Sequence, residues 1–189
     1  EMSFVEADDV MGVIEGLVKR TAREILGIDV TLPLPRLTWD ECMERFGHDA
    51  PDLRFGLEIT DLTALAGESD FRVFRGAVEA GGRVRGIRVP GAAAKFSRKD
   101  LDDLTAVAVE GGAKGLVWLK VEADGSWSGP VAKNLTTIGD RLKGALGCEA
   151  GDLALIVADS FETICKALHM LRKRLGTQLG LFEIGRAHV

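Results

Sequence analysis

The sequence lacks an excess of positive charge and a long hydrophobic run, and each absence excludes a class of protein. Twenty-four Lys and Arg residues face 29 Asp and Glu residues, so no polycationic surface is available for non-specific binding to nucleic acid or anionic membranes. The longest apolar run covers only residues 153–158, whereas a membrane-spanning helix needs about 20 apolar residues. No basic stretch followed by an apolar run opens the sequence. We therefore expect a cytoplasmic protein without a membrane anchor.

The sequence also lacks the spacings that mark metal sites and phosphate-binding loops. The three cysteines and three histidines show no CxxC, HxxxH or HExxH pattern, so we expect reduced cysteines and no metal site. Neither GxxxxGK[ST] nor a GxGxxG between a strand and a helix occurs. With 46% hydrophobic and 28% charged residues among 189, the composition is typical of a globular chain with one or two cores.

Helix signals are clear in the first quarter of the chain. Apolar residues recur at intervals of three and four over residues 8–26, with Asp8 or Asp9 as the expected N-cap. Thr38 and Glu41 have the spacing of a capping box and predict a second, short helix.

Strand and helix signals alternate irregularly in the rest of the chain. Residues 71–74 and 84–89 alternate apolar and basic side chains around a glycine turn and predict an antiparallel hairpin. Trp118 and Trp127 are predicted to pack against each other across two paired strands. The other expected elements are a helix over 97–110, a strand over 116–121 with a partner ending near 131, a helix over 137–146, a strand over 153–158 and a helix over 161–179. This order favours an α+β fold with a mixed or antiparallel sheet flanked by helices.

Local basic groups are the candidates for contact with RNA, because the net charge is acidic. Lys114 follows the glycines of a predicted helix stop, and Arg172 lies in a basic cluster near the end of the last helix. A structural role stays open for both: a helix C-cap at the first, and a favourable interaction with the helix C-terminus at the second. A further candidate is the basic face of the predicted hairpin, formed by Arg72, Arg83, Arg85 and Arg88.

A polar loop groups His48, Asp49, Asp52 and Arg54, which are side chains suited to ligand positioning or proton transfer. Turn hydrogen bonds around the loop proline explain the same residues and are favoured. From the residues alone, the chain is an α+β module without a self-contained active site.

Several segments, taken in order, resemble bacterial-type aspartyl-tRNA synthetases. Residues 1–5 and 45–56 are similar to the stretch that follows class II motif 2, although His48 and Ala50 stand where the family usually has a serine and a lysine. The segments that resemble the insertion region of these enzymes, called the GAD domain, are 89–91, 97–101, 112–116, 129–133 and 167–172. The resemblance runs from residue 1 to about residue 181.

The resemblance implies a homodimeric ligase that uses ATP and Mg²⁺ to activate aspartate and transfers it to tRNA(Asp). It also implies that this chain alone is inactive, with no catalytic residue, bound cofactor or metal ligand, because the family's motif 2 and motif 3 arginines have no counterpart here. Glu1 is the one substrate-binding candidate that the resemblance supplies, beside the aminoacyl-adenylate; a structural ion pair is the alternative. Whether the whole enzyme also charges tRNA(Asn) depends on other regions.

The resemblance predicts the domain organisation as well. Residues 1–54 would be a remnant of the class II catalytic domain and residues 55–181 the insertion domain. Residues 182–189 are expected to be a non-native tail, because 183–189 match the in-frame translation of a common sequencing adapter. The alternative is a free-standing GAD-type tRNA-binding or interaction module without catalytic activity. A related domain occurs in the glutamyl-tRNA amidotransferases, a family that should not carry the similarity over residues 1–56.

Overall fold

The computed structural model describes residues 2–182, which fall into two compact units. The first unit comprises residues 2–37 and the second residues 38–182 of the described chain. This division lies well before residue 54, where the resemblance suggests a domain boundary. The assignment of the early residues to a catalytic domain stays a prediction.

The first unit contains helix α1 (Ala7–Thr21), which continues into a π-helical turn (Ala22–Leu26) and ends at Gly27. The predicted helix is confirmed, although its N-cap is Glu6, whose backbone amide donates to the Asp9 carboxylate at 2.9 Å. No residue of α1 is buried. Its apolar side chains are therefore exposed, among them Val10, Val13, Ile14, Leu17 and Val18.

The second unit is built on a five-stranded antiparallel sheet with the order β1-β2-β5-β3-β4. The strands are β1 (Ile59–Asp61), β2 (Arg83–Val89), β3 (Val117–Val121), β4 (Trp127–Ser128) and β5 (Leu153–Asp159). Strand β5 is central and pairs with β2 along its whole length. Its pairing with β3 reaches only to Ile156, opposite Val117. Strand β3 begins at Val117, so β5 continues past it without a partner on that side.

Helices cover both faces of this sheet, which confirms the α+β class. They are α2 (Trp39–Phe46), α3 (Thr63–Gly67), α4 (Arg72–Glu79), α5 (Arg98–Glu110), α6 (Gly139–Leu146) and α7 (Phe161–Gln178). Leu155 and Val157 of β5 face the core formed with α5 and α7, whereas Ala154 and Ile156 face the core formed with α3, α4 and α6. Because β5 is buried on both faces, its sequence is continuously apolar instead of alternating.

The predicted capping box at Thr38 and Glu41 is confirmed. The Thr38 hydroxyl accepts a hydrogen bond from the Glu41 amide at 3.2 Å, and the Glu41 carboxylate accepts one from the Thr38 amide at 2.7 Å. Ser97 and Asp100 form the same reciprocal pair at the start of α5. These bonds satisfy amides that the first turn of a helix leaves free.

The strand predicted over residues 71–74 is wrong, because this segment begins helix α4. Phe71 and Phe74 have the spacing of a helix face, whereas Phe71 and Val73 fit the alternation of a strand, and a run of four residues is too short for periodicity to decide between them. Phe74 is fully buried, while the Arg75 guanidinium donates to the Ser69 carbonyl at 2.8 Å. Strand β2 pairs instead with β1 and β5, and the sequence signals missed both β1 and α3.

The predicted contact between Trp118 and Trp127 is also wrong. Trp118 packs against the core that contains α5 and α7, and Trp127 packs against the core on the other face of the sheet. Trp127 lies opposite Val121 in the register, and its indole N–H donates to the Gly139 carbonyl at 2.9 Å.

The three cysteines are buried free thiols, as expected. Burial raises the pKa of Cys148 to about 11, so this thiol is protonated at neutral pH. Across residues 2–182, no helix has both the length and the apolar character that crossing a membrane requires.

Candidate functional site

A cleft of about 790 Å³ lies next to the start of β3, where β5 continues past it. Its walls are α4, the loop before β3, the end of β5 and the first residue of α7. The turn from α4 into β2 forms one end, and a Cβ at Gly82 in this turn would lie 2.6 Å from the Asp159 carbonyl oxygen. Glycine thus allows the turn to pack directly on β5. Among the residues that line the cleft are Arg72, Val73, Gly76, Lys114, Leu116 and Asp159.

Lys114 is exposed and lines this cleft. Gly111 and Gly112 end helix α5 just before it, and a Cβ at Gly111 would lie 2.6 Å from Cα of Ala167 in α7. The glycines therefore have the helix-stop role that the sequence indicates, and they bring Lys114 to the cleft. Its contact with RNA stays a prediction.

Arg72 is brought to the same cleft by the first turn of α4. The sequence placed it on a strand beside Arg83, Arg85 and Arg88, yet the structure separates it from those three residues. Its side chain is exposed, and it forms no ion pair with any of residues 2–182. Only the tertiary fold brings Arg72 and Lys114 to one cleft.

Arg172 lies in the interior of the domain with 0% exposure. Its guanidinium donates to the carbonyl oxygens of Leu57 at 2.8 Å, Gly56 at 3.1 Å and Asp52 at 3.3 Å. Burial lowers its pKa to about 10, so it remains a cation at neutral pH. The expected contact of Arg172 with tRNA is thereby corrected: this cation holds the loop before β1 and does not reach the surface.

The basic residues of β2 are also occupied by contacts inside the protein. Arg83 and Arg85 both pair with Glu44, at 2.8 and 2.6 Å. Arg88 pairs with the buried carboxylate of Asp152 at 2.7 Å. The predicted basic face on this strand is therefore wrong, because its charges are neutralised by acids from other segments.

The side chains of the polar loop after α2 form hydrogen bonds within the loop. Arg54 donates to Asp52 at 2.7 Å, and this hydrogen bond is the main cause that lowers the pKa of Asp52. His48 Nδ1 accepts a hydrogen bond from the Ala50 amide at 3.0 Å. These local bonds support the turn interpretation over proton transfer.

Sequence reasoning missed a pair of stacked imidazoles. The rings of His48 and His169 have centroids 4.3 Å apart and an angle of 23° between their planes. Burial is the main cause that lowers the pKa of His169 to about 4, so its ring is neutral at pH 7. Because 121 positions separate the two histidines, no local sequence pattern indicates this contact.

Glu1, the predicted substrate-binding residue, lies outside the described residues. Among residues 2–182, no group of three or more His, Cys, Asp or Glu side chains is arranged to hold a metal ion.

Comparison with known proteins gives one consistent result. The family model described as the GAD domain matches residues 74–168. The chain is 54% identical over 187 residues to an aspartate–tRNA(Asp/Asn) ligase of Rhodopirellula baltica, covering 98% of this chain and 32% of that protein. It is 46% identical to an aspartate–tRNA ligase of Macrococcus caseolyticus, over 97% of this chain and 31% of that protein. It is 44% identical to an aspartate–tRNA(Asp/Asn) ligase of Anoxybacillus flavithermus, over 100% of this chain and 32% of that protein. The chain thus spans about a third of the length of these curated relatives.

Proposed function

The chain belongs to the GAD domain family, and we propose that it is the insertion region, with an adjoining part of the catalytic domain, of an aspartate–tRNA ligase. The observation that carries the proposal is the continuous match of 98% of the chain to one such ligase at 54% identity. The match includes residues on both sides of the GAD segment at 74–168. A free-standing GAD module would need similarity only within that segment, so the ligase is favoured.

In this proposal the whole protein is a cytoplasmic homodimer that uses ATP and Mg²⁺ to form aspartyl-adenylate and then charges tRNA(Asp). The nucleotide and the metal are assigned to parts of the ligase other than this chain. Glu1 is proposed to lie beside the adenylate, and this role rests on the family resemblance alone. The chain by itself is expected to catalyse neither step.

The role proposed for the second unit is contact with tRNA through local positive charge. Lys114 is the residue proposed for that contact, because its side chain is exposed and lies at the edge of a cleft. A single exposed lysine provides a phosphate contact without base specificity.

A chimeric ligase tests the proposal. Residues 2–182 of this chain would replace the matching segment of the Rhodopirellula baltica ligase, and both half-reactions would be measured. We expect aspartate-dependent exchange of pyrophosphate into ATP and charging of tRNA(Asp) within about tenfold of the unmodified ligase.

The unmodified ligase and the isolated 189-residue chain are the controls. A chimera that matches the unmodified ligase in thermal stability and oligomeric state but charges no tRNA would overturn the proposal. Catalysis by the isolated chain would contradict the assignment of the active site to other parts of the ligase.

A further inference from the structure

We propose that the cleft between α4 and the start of α7 binds an unpaired nucleotide of RNA, with its phosphate between Arg72 and Lys114 and its base against the apolar wall. The inference rests on the proposed function, which supplies tRNA as the partner. It adds a defined site, a second cation and a requirement for an unpaired nucleotide.

The positive charge of the cleft is available to a ligand. Neither Arg72 nor Lys114 forms an ion pair or a side-chain hydrogen bond with any residue in the range 2–182. The neighbouring Arg75 and Arg83, in contrast, pair with Asp70 at 3.0 Å and with Glu44 at 2.8 Å. Two cations on one cleft can both donate charge-assisted hydrogen bonds to the oxygens of one phosphodiester.

One acidic residue also lines the cleft and limits the net charge. Asp159 accepts a hydrogen bond from the Ser160 amide at 2.8 Å through Oδ1, and its Oδ2 is buried. The cleft thus holds two cations against one carboxylate. This charge balance favours one phosphate over a cluster of phosphates.

The apolar wall explains why the ligand has a base as well as a phosphate. Val73 is 54% exposed on α4, and the half-buried Leu116 lines the cleft next to the start of β3. A phosphate alone would leave this apolar surface in water, whereas the face of a base would cover it. A base inside a duplex is stacked between its neighbours and does not enter such a cleft, so the proposed nucleotide is unpaired.

The cleft can be filled without disturbing the fold. Gly76 lies in α4 and lines the cleft, and a Cβ built on it meets no atom within 4 Å. Gly76→Trp places an indole at the cleft while keeping both cations. Tryptophan is also a better helix former than glycine.

The test measures binding of the 189-residue chain to a fluorescent single-stranded RNA of eight nucleotides and to the same sequence as a duplex. We expect the single strand to bind at least about fivefold more tightly than the duplex. The double variant Arg72→Gln, Lys114→Gln should lose about tenfold in affinity for the single strand, and Gly76→Trp about fivefold.

The matched control is the double variant Lys173→Gln, Arg174→Gln, which removes the same charges from exposed positions on α7. These residues lie 13 and 14 positions after Ser160, about 20 Å along the helix from the cleft. Their replacement should change the affinity less than about twofold, since general electrostatic attraction falls within a Debye length. Equal losses for the two double variants would overturn the assignment to the cleft.

Other outcomes are equally decisive. Equal affinity for single strand and duplex, or unchanged binding by Gly76→Trp, would overturn the unpaired nucleotide. AMP that binds the unmodified chain more tightly than the RNA does would overturn RNA as the source of the nucleotide.

The chimeric ligase separates failure of the inference from failure of the proposed function. The Arg72→Gln, Lys114→Gln chimera should raise the KM for tRNA(Asp) and leave pyrophosphate exchange unchanged. If this chimera is active and its KM for tRNA(Asp) is unchanged, the cleft proposal is overturned and the ligase proposal stands. A chimera that is inactive although it matches the unmodified ligase in thermal stability and oligomeric state overturns the ligase proposal, and RNA binding by the isolated chain still decides the cleft.

Discussion

Nη2 of Arg85 in β2 lies 2.6 Å from Oε2 of Glu44 in α2, although 41 positions separate the two residues in the sequence. The Arg85 side chain is 2% exposed, and its guanidinium also donates to the backbone carbonyl of Glu44 and contacts Cys165 Sγ at 3.8 Å. Helix α2 therefore supplies the charge that compensates a cation buried against the sheet. This contact explains why α2 belongs to the unit that contains the sheet.

Glu44→Gln should lower the free energy of unfolding by about 1 to 3 kcal/mol, because it removes the nearer counter-charge of a buried guanidinium and leaves only Asp61, at 3.9 Å. The partial exposure of Glu44 keeps the expected loss at the lower end of the range for buried pairs. Urea denaturation followed by tryptophan fluorescence measures it, since all three tryptophans lie in the second unit. Asp102→Asn at the exposed pair with Arg98 is the control and should cost less than about 0.5 kcal/mol. Equal losses for the two variants would contradict the role of Glu44.

Arg172→Met should destabilise the second unit by about 2 to 4 kcal/mol, because three backbone carbonyls lose their donors. The adjacent Lys173→Met changes an exposed position and should alter stability by less than about 0.5 kcal/mol. Urea denaturation distinguishes the two variants. Unchanged stability with a loss of RNA affinity in Arg172→Met would restore the tRNA contact first expected of this residue.

His169 should make the second unit less stable in mild acid. Its pKa is about 4 in the folded chain and 6.5 in the unfolded chain. Between these values only the unfolded chain binds the proton, so the free energy of unfolding falls as the pH drops from 6.5 to 4 and does not depend on this group above 6.5. Because the ring is only partly buried, we expect an effect of about 1 to 2 kcal/mol.

The measurement compares denaturation at pH 7 and pH 4.5 for the unmodified chain and for His169→Gln. The variant should lose less stability on acidification, since carboxylates contribute equally to both proteins. Identical losses would show that His169 titrates alike in the folded and unfolded chains.

Gly111→Ala should destabilise the second unit by about 1 to 3 kcal/mol, because its Cβ would lie 2.6 Å from Cα of Ala167, where backbone has to move. Gly144→Ala is the matched change in helix α6, where an added Cβ meets no atom within 4 Å. The free energy of unfolding of that variant should rise by about 0.5 to 1 kcal/mol, because alanine lowers the backbone entropy of the unfolded chain. Thermal unfolding monitored by circular dichroism compares the two. If both variants lose stability, the destabilisation comes from replacing a helical glycine and not from the contact between α5 and α7.

Features that depend on residues close along the chain could be predicted from the sequence, whereas features that depend on tertiary contacts could not. The capping pairs at Thr38 and Ser97 were predictable because donor and acceptor lie three positions apart. The helix that begins in residues 71–74 was not predictable, because a run of four residues is too short to distinguish the helical period from the strand period. The burial of Phe74 against the sheet decides between them.

At the candidate site, the sequence likewise did not show which basic residues are buried or paired. Arg172, Lys173 and Arg174 form one basic cluster in the sequence, yet Arg172 is buried and its two neighbours are exposed. Arg72 and Arg83 both lie in segments that alternate apolar and basic residues, yet only Arg72 remains unpaired among the described residues. Lys114 and Arg72 were both candidates from the sequence, but their meeting at one cleft was not predicted.

The sequence by itself determined the α+β class, the capping box at the start of α2, the buried central strand and the likeness to the GAD domain. These features depend on residues that are close along the chain or on an order of segments that can be read directly. Only the tertiary structure decided which cations are neutralised and which remain available to a ligand. The physical reason is that a buried guanidinium needs acceptors on several sides, and here carbonyls and carboxylates from distant segments supply them, as Leu57 does for Arg172 across 115 positions.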